Sequence, residues 1–543
     1  MMKTYDYIIV GAGSSGCVVA NRLSANPNVS VCLIEAGGSD KSPWIKIPAG
    51  IFGVYEHKKF DYAFQGVPQK NLNNRIITVN RGKALGGSGS INGMVYIRGN
   101  RSDYDGWAAA GCRGWAYDDV LPVFKTIENN QLLQDPRYHG FSGELRVENQ
   151  RDVNQMGEVF VSAAESVGLT QNTDFNGASQ LGLGHYNVTQ NRGVRVSAYT
   201  AFVEPVLMRN NLDVMINTHV PELIIENGQV KGVVIERNGK QSNLFCGQEV
   251  IVSAGTIASP RLLLASGIGP AKELAELGIS CKLDLPGVGK NLQDHIDSKV
   301  TVRSDKPVSI GVSAASLLPH VLPAPFRYLL QRKGWWTTNY VEAGGFAQTS
   351  YAQMQAVEQG HAEADIQFHF TPIYRSHRGR KFEFGHGYSL FTCVLRPHST
   401  GSVKLANDGT RRNVLIDHNF LADERDANVL IAGLRKAREI LASPVFDEYR
   451  GVEMAPGNKV QTDEEILAYL RETALTVYHP VGTCKMGIDA MAVTDPQSLR
   501  VHGMSNLRVI DASVMPKLVS GNTSAPSMMI GEKGARMILR RRG

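Results

Sequence analysis

The stretch from Tyr5 to Glu35 constrains this chain more than any other. Tyr7-Ile8-Ile9-Val10 is an apolar, β-branched run too short for a helix, and it leads directly into Gly11-Ala12-Gly13-Ser14-Ser15-Gly16. That is the GxGxxG spacing at a strand-to-helix junction. Gly11 permits the tight turn, Gly13 lets backbone amides approach a pyrophosphate with no Cβ between them, and Gly16 lets the new helix press close to the sheet. The helix N-terminus then offers its free N–H groups to the anion. Cys17 to Leu23 continues the helix, Asn26-Pro27 stops it, and Val29 to Ile34 is a second buried strand ending at Glu35 and Ala36. A carboxylate at Glu35 suits a free ribose 2′-hydroxyl and repels a 2′-phosphate. The fingerprint alone does not separate FAD from NAD.

Length and composition narrow the setting. A chain of 543 residues exceeds what one hydrophobic core supports, so two domains are expected. Hydrophobic residues at 43% and charged residues at 20% describe an ordinary globular protein, with no apolar run able to span a bilayer. The net charge of +6 is small for the length, and no basic stripe is interleaved with aromatics, so nucleic acid is not an implied partner. The densest basic cluster, Arg536 and Arg540 to Arg542, reads as favourable charge at the end of a last helix. Seven cysteines (Cys17, Cys32, Cys112, Cys246, Cys281, Cys393, Cys484) form no CxxC pair, which disfavours both a zinc site and a disulfide framework. No metal is expected. Met1-Met2-Lys3 is followed by a strand-forming segment with no apolar signal region, so a cytoplasmic location is expected.

Further along, Arg81 to Asn92 reads RGKALGGSGSIN, a backbone that a flat or anionic group can approach closely. Asp103 to Asn130 reads as helix and packing, and Asn154 to Val167 as an amphipathic helix. Asn211 to Ile216 and Pro221 to Glu236 have strand character, with a hairpin signal at Asn227-Gly228. Glu249 to Ala254 is a buried strand followed by a small-residue turn and an apolar helix from Arg261 to Ala265. Lys299 to Thr301 and Asp365 to Phe370 read as strands of a different, antiparallel sheet. Between Gly311 and Trp336 the chain is apolar, but Pro319, Pro323 and Pro325 exclude a long helix. A short basic-aromatic helix over Phe326 to Lys333 remains, with Trp335 and Trp336 beside it. It reads as a wall over the substrate domain or as a patch touching a membrane surface. Thr462 caps a helix to Ala474, with Glu465 three residues on. Asn506 to Asp511 is a strand, Gly521 to Pro526 turns, and Ser527 to Leu539 is the last helix.

Four blocks in order resemble the glucose–methanol–choline (GMC) family of FAD-dependent oxidoreductases: the fingerprint with Glu35, Gly82 to Asn92, Gly255 to Gly269, and Tyr478-His479-Pro480 with Asn506 to Pro526. The segments Asn92 to Arg98 and Asn339 to Phe346 look most like bacterial aliphatic alcohol dehydrogenases and choline dehydrogenases. The resemblance implies an α/β fold in which a Rossmann-like FAD-binding domain is discontinuous (1–153, 210–298 and 475–543). A second, α+β substrate domain with a mainly antiparallel sheet takes 154–209 and 299–474. It further implies that FAD contacts Gly11, Gly13, Ser14, Ser15, Gly16, Glu35 and Ala36, then Arg81, Gly86, Gly87, Ser88, Asn92, Gly93, Met94 and Val95. Val220, Ala254, Asp511, Ala512, Asn522 and Thr523 complete the set. Some relatives link the flavin to a histidine where this chain has Ile91, so non-covalent FAD is expected.

Oxidising an alcohol removes a hydroxyl proton and a hydride from one carbon, so a base and a hydride acceptor must flank it. By resemblance the base is His479, with Asn522 as its partner at the alkoxide and Tyr478 lining the pocket. Glu342 is placed in the substrate wall, where a carboxylate suits a quaternary ammonium but also occurs in alkanol enzymes. The apolar surroundings of Trp335, Trp336, Phe346 and Phe370 favour an uncharged alcohol. The leading expectation is a primary-alcohol dehydrogenase that releases an aldehyde and passes electrons to a quinone or another non-oxygen acceptor. An oxidase, a choline dehydrogenase and a hydroxynitrile lyase are the alternatives. A membrane quinone would place the protein at the inner face of the bacterial membrane, docked through Phe326 to Trp336 or the basic C-terminus. The oligomeric state is open.

Overall fold

The computed structural model describes residues 4–359, 363–374 and 383–540. Thr4–Val10 sits at the middle of a seven-stranded sheet, flanked by Val31–Ile34 and then Leu212–Met215 on one side and by Lys240–Val252 on the other, all parallel. Leu507–Val509 adds a further parallel strand against the end of Lys240–Val252. Parallel strands carry helices on their faces, which explains why Ile8, Ile9, Val31 to Leu33 and Val250 to Val252 are apolar without alternation. The hairpin Leu223–Glu226 to Gln229–Arg237 continues the sheet antiparallel. Its turn uses the left-handed conformations of Asn227 and Gly228, as the dipeptide predicts.

The first and last helices, Ser14–Leu23 and Ser524–Leu539, meet backbone to backbone. A Cβ on Gly531 would lie 2.7 Å from the Ser15 carbonyl oxygen, and the Ser15 hydroxyl donates to the Ser527 carbonyl at 2.6 Å. This crossing seats the cradle helix.

The second sheet is antiparallel, in the order Glu453–Ala455, Ile296–Ser304, His386–Val394, Ile366–Thr371, Ala343–Ala347, Gly182–His185, with Leu475–Thr476 paired to the start of Ile296–Ser304. Period-2 alternation divides its faces. Val300, Phe368, Phe370 and Leu390 face helix Glu424–Leu441, whose Leu430 and Leu434 share that core. Residues of the opposite parity, Asp297, Lys299, His369, Thr371, Ser389 and Phe391, line a cavity between the two sheets. The α/β class with a second, antiparallel sheet is therefore as the sequence predicts.

Local readings hold with small shifts. The helix after Thr462 has its full capping box, and Asn154 caps Gln155–Ser166. Asp103 to Asn130, read as helix and packing, holds two helices, Arg101–Ala109 and Tyr117–Ile127. The prolines between Gly311 and Trp336 break the chain as expected, into Ala314–Ser316, a π turn at Leu317–Val321 and the helix Ala324–Gln331. The seven cysteines are free, and among the described residues there is no metal-ligand cluster and no helix long and apolar enough to cross a membrane. Arg536 pairs with Glu532 inside the last helix, whereas Arg541, Arg542 and Met1 to Lys3 lie outside the described residues.

Candidate active site

The dinucleotide cradle is built from glycines of two kinds. Gly11 (φ +108°) and Gly16 are filled by the protein itself: a Cβ would come within 2.4 Å of the Ser253 carbonyl oxygen at Gly11 and 2.0 Å of the Gly11 carbonyl oxygen at Gly16. Gly16 thus packs against the turn itself. Gly13 and Gly93 meet no protein atom within 4 Å, so the space above them is left to something else. That contrast fits a bound dinucleotide. Gly87 closes on Gly13, 2.8 Å from the position of its Cβ to the Gly13 Cα, and brings Ser88 to the same cavity.

Glu35 lies in the cavity wall, its two oxygens accepting the Ala12 N–H at 3.1 Å and the Gly37 N–H at 2.7 Å. Burial pushes its carboxyl up to about 7. A carboxylate accepts about four hydrogen bonds, so acceptor capacity is left for a ribose hydroxyl. Ser14, Ser15, Ala36, Asn92, Met94, Val95, Val220, Ala254, Ala512 and Thr523 line the same cavity, while Gly16 and Gly86 support it from behind. Three of the side chains are held by the protein. The Ser15 hydroxyl is held by Ser527, and the Asp511 carboxylate accepts from Gly255 N, Ser259 Oγ, Ser513 N and Ser513 Oγ. The Arg81 guanidinium donates to the Asn80 and Tyr478 carbonyls at 2.6 Å each. Asp511 can therefore meet a cofactor only through its backbone.

At the other end of the cavity stand Tyr478, His479 and Asn522. Tyr478 adopts φ +67°, a conformation that a bulky residue holds only where its surroundings enforce it. They do so on both sides: Arg81 holds its carbonyl, and the Thr476 hydroxyl accepts its N–H at 2.7 Å. Asp294 takes the Thr476 hydroxyl at 2.5 Å and the His479 N–H at 2.8 Å. The loop is thereby pinned by its backbone.

The protonation of His479 follows from two chains of hydrogen bonds. On one side, His295 Nε2 lies 3.0 Å from the Leu395 carbonyl, which can only accept, so Nε2 carries the His295 proton and its Nδ1 is bare. His479 Nδ1, 2.9 Å from that bare nitrogen, must be the donor. On the other side, the Tyr186 hydroxyl donates to the Phe368 carbonyl at 2.6 Å and so accepts from Gln367 Nε2 at 3.2 Å. Gln367 Nε2 also donates to Asn522 Oδ1 at 3.2 Å, which turns Asn522 Nδ2 toward His479 Nε2 at 3.1 Å. Both chains assign the proton to Nδ1 and leave Nε2 as a lone pair. Burial, reinforced by His295, His369 and Arg81, holds the His479 pKa well below the usual imidazole range, so the ring is neutral at pH 7.

Two expectations are corrected. Glu342 does not line the cavity: its oxygens accept from the Thr338 hydroxyl at 2.6 Å and the Asn154 N–H at 2.7 Å, clamping a loop to a helix start. Phe346 packs edge-on against Phe175 and Phe370 stacks on Phe160, both in core, while Trp335 stacks on His320. None of these rings, nor Trp336, reaches the cavity. That end of the cavity is instead lined by Asp297, Lys299, His369, Thr371, Ile373, Ser389 and Phe391, and burial lowers the Lys299 pKa to about 8. His295, Asp294 and Lys299 were not singled out from the sequence. His295 lies 184 residues from His479, and the two are brought together by the pairing of Gln293 with Val481 and of Ile296–Ser304 with Leu475–Thr476.

The GMC oxidoreductase profile matches residues 5–297, and its C-terminal counterpart matches 397–531. The chain is 44% identical over 539 residues to an alcohol dehydrogenase (acceptor) of Pseudomonas putida, covering 99% of this chain and 96% of that one. It is 41% identical to an oxygen-dependent choline dehydrogenase of Sinorhizobium fredii, covering 98% and 95%. Among solved structures, a pyridoxine 4-oxidase of Mesorbium loti superposes with a TM-score of 0.86 at 29% identity, covering 99% of each chain. A formate oxidase of Aspergillus oryzae, solved to follow FAD modification, gives 0.90 at 26% identity, again covering 99% of each. With the cradle, the pinned histidine and these matches together, the chain belongs to the GMC oxidoreductase family.

Proposed function

We propose that this protein is an FAD-dependent dehydrogenase of primary alcohols, aliphatic or aromatic, that releases the aldehyde and passes electrons to a quinone or another non-oxygen acceptor. The observation that carries the reading is the doubly enforced lone pair on His479 Nε2, beside an amide donor and in the wall of the cradle's own cavity. FAD, when bound, supplies the hydride acceptor for this chemistry. Gly11, Gly13, Glu35, Gly87 and the backbone at Asp511-Ala512 would hold it. Ile91, buried in the cavity wall, offers no imidazole to bond to it, which supports a non-covalent cofactor.

The protein's own part follows from the site. A substrate hydroxyl entering between His479 Nε2 and Asn522 Nδ2 replaces their mutual hydrogen bond with one to each. Nε2 takes the hydroxyl proton, and Asn522 Nδ2 donates to the alkoxide as it develops. The ring, now carrying protons on both nitrogens, keeps its Nδ1–H bond to His295. Asp294 and Arg81 hold both ends of the peptide unit that leads into the ring, so the ring's position is fixed from its backbone.

A second reading, choline oxidation, is favoured by one feature: Asp297, a buried carboxylate in the cavity wall. Lys299, two residues along the same strand and in the same wall, opposes a cationic substrate. No comparable observation favours the oxidase or lyase readings. Anaerobic flavin reduction separates all of them. Bleaching by 1-octanol or benzyl alcohol with slow reoxidation in air is the expected result, and fast reoxidation means an oxidase. Bleaching by choline alone moves the substrate to Asp297, and no bleaching by any alcohol sinks the redox reading.

A further inference from the structure

The segment Ala314–Lys333 turns its apolar side chains outward. Leu318 is 73% exposed, Leu322 54%, Phe326 66%, Leu329 65% and Leu330 81%. The helix Ala324–Gln331 buries only Ala324 and Tyr328, with the Tyr328 hydroxyl donating to the Gly193 carbonyl at 3.0 Å. A surface helix ordinarily faces water with its polar side. Here Phe326, Leu329 and Leu330 occupy that outward position, and Leu318 and Leu322 precede them in the adjoining turn. Single exposed leucines need no explanation, whereas a contiguous apolar group on one projecting segment marks an interaction surface.

Charge selects the occupant. No aspartate or glutamate lies between Asp305 and Glu342, and Arg327, Arg332 and Lys333 flank the apolar group in exposed positions. Apolar side chains that reach outward beside basic ones match an anionic bilayer, whose interior takes the leucines and whose headgroups meet the cations. A second copy of this chain fits poorly, because a two-fold pairing of this face would set the three cations against themselves. The segment also leads to the site: seven residues after Arg332, Asn339 donates to the Gly93 carbonyl at 2.6 Å, and Tyr340 packs on Phe52 at 4.5 Å in the cavity wall.

We propose that residues 314–333 form a docking surface for an anionic lipid bilayer, set beside the wall of the active-site cavity so that membrane-dissolved partners reach it without crossing water. The inference rests on the quinone reading of the acceptor given above, and the two fail separately, because binding to vesicles needs no turnover.

The test uses the FAD-loaded full chain in co-sedimentation with phosphatidylcholine vesicles, with and without phosphatidylglycerol. Sedimentation with the phosphatidylglycerol vesicles, weakened by salt, is expected. Leu318→Glu combined with Leu330→Glu should lower vesicle affinity about tenfold or more while leaving flavin content and benzyl alcohol oxidation with a soluble quinone unchanged. Absence of binding, or equal binding by wild type and variant, overturns the proposal. So does concentration-dependent dimerisation that the same substitutions abolish. Loss of turnover in wild type with vesicle binding intact would count against the redox reading and leave the docking surface standing.

Discussion

Replacing His295 with phenylalanine tests the proton assignment most directly. The ring keeps its shape in a fully buried site but can no longer accept the His479 Nδ1–H now held at 2.9 Å. A buried donor left without a partner costs about 1–3 kcal/mol, or roughly 5- to 150-fold in the population of the reactive form. Once Nε2 has taken the substrate proton, the lost bond is a charge-assisted one and roughly twice as strong, which moves the expectation to the upper end, about 10²-fold. The limiting rate of anaerobic flavin reduction should fall by that factor, with little change in the alcohol concentration needed to reach half of it. His295→Gln, whose side-chain oxygen can accept, should recover part of the loss. A reduction rate within a few-fold of wild type, with flavin occupancy intact, would refute the relay.

His479→Ala should retain FAD yet slow flavin reduction by about two orders of magnitude or more; an unchanged rate would place the base elsewhere. Because His479 works as a base in its neutral form and its pKa lies well below 6.5, reduction should hold steady from neutral pH down through 6.5 and fail only below it. A limb centred at or above 6.5 would contradict the burial argument. Gly13→Ala should leave the thermal stability of the cofactor-free protein unchanged while lowering its FAD content, since no protein atom meets the added Cβ. Gly11→Ala, strained at φ +108° and 2.4 Å from a carbonyl oxygen, should destabilise the cofactor-free protein as well. Asp294→Asn presents an amide where two donors now converge, so it should slow flavin reduction about tenfold or more by loosening the His479 backbone. Equal rates would show that Arg81 alone holds the loop.

Reading the chain alone recovered what is encoded locally. The fingerprint, the Thr462 cap, the Asn227-Gly228 turn and the prolines of 319–325 each act within a few residues, and each appears in the structure where expected. His479 and Asn522 were reached through the resemblance, and the structure sets them 3.1 Å apart. What lay out of reach depends on register between distant strands. His295 becomes the neighbour of His479 only because Val477 N–H donates to the His295 carbonyl and Gln293 pairs with Val481. Glu342 was misplaced for the converse reason: it sits in the loop before Ala343–Ala347, where no periodicity fixes its direction, and only the partners Thr338 and Asn154 reveal it. The aromatic residues Phe346 and Phe370 could not be assigned to pocket or core from the chain alone, because residues lining either have the same composition, and the structure places both in core.

The crossing of the first and last helices carries a consequence for the order of events during synthesis. The strand that begins the sheet emerges from the ribosome early, but its cradle helix rests on Gly531 and Ser527, and the Asp511 carboxylate ties Gly255 to Ser513 only after residue 513 is available. Until then the Lys240–Val252 strand has an open edge where Leu507–Val509 will pair. FAD therefore meets a finished site only on a chain translated through its last helix, and loading of the cofactor is a step after translation, for which the nascent chain must wait with its sheet unsealed.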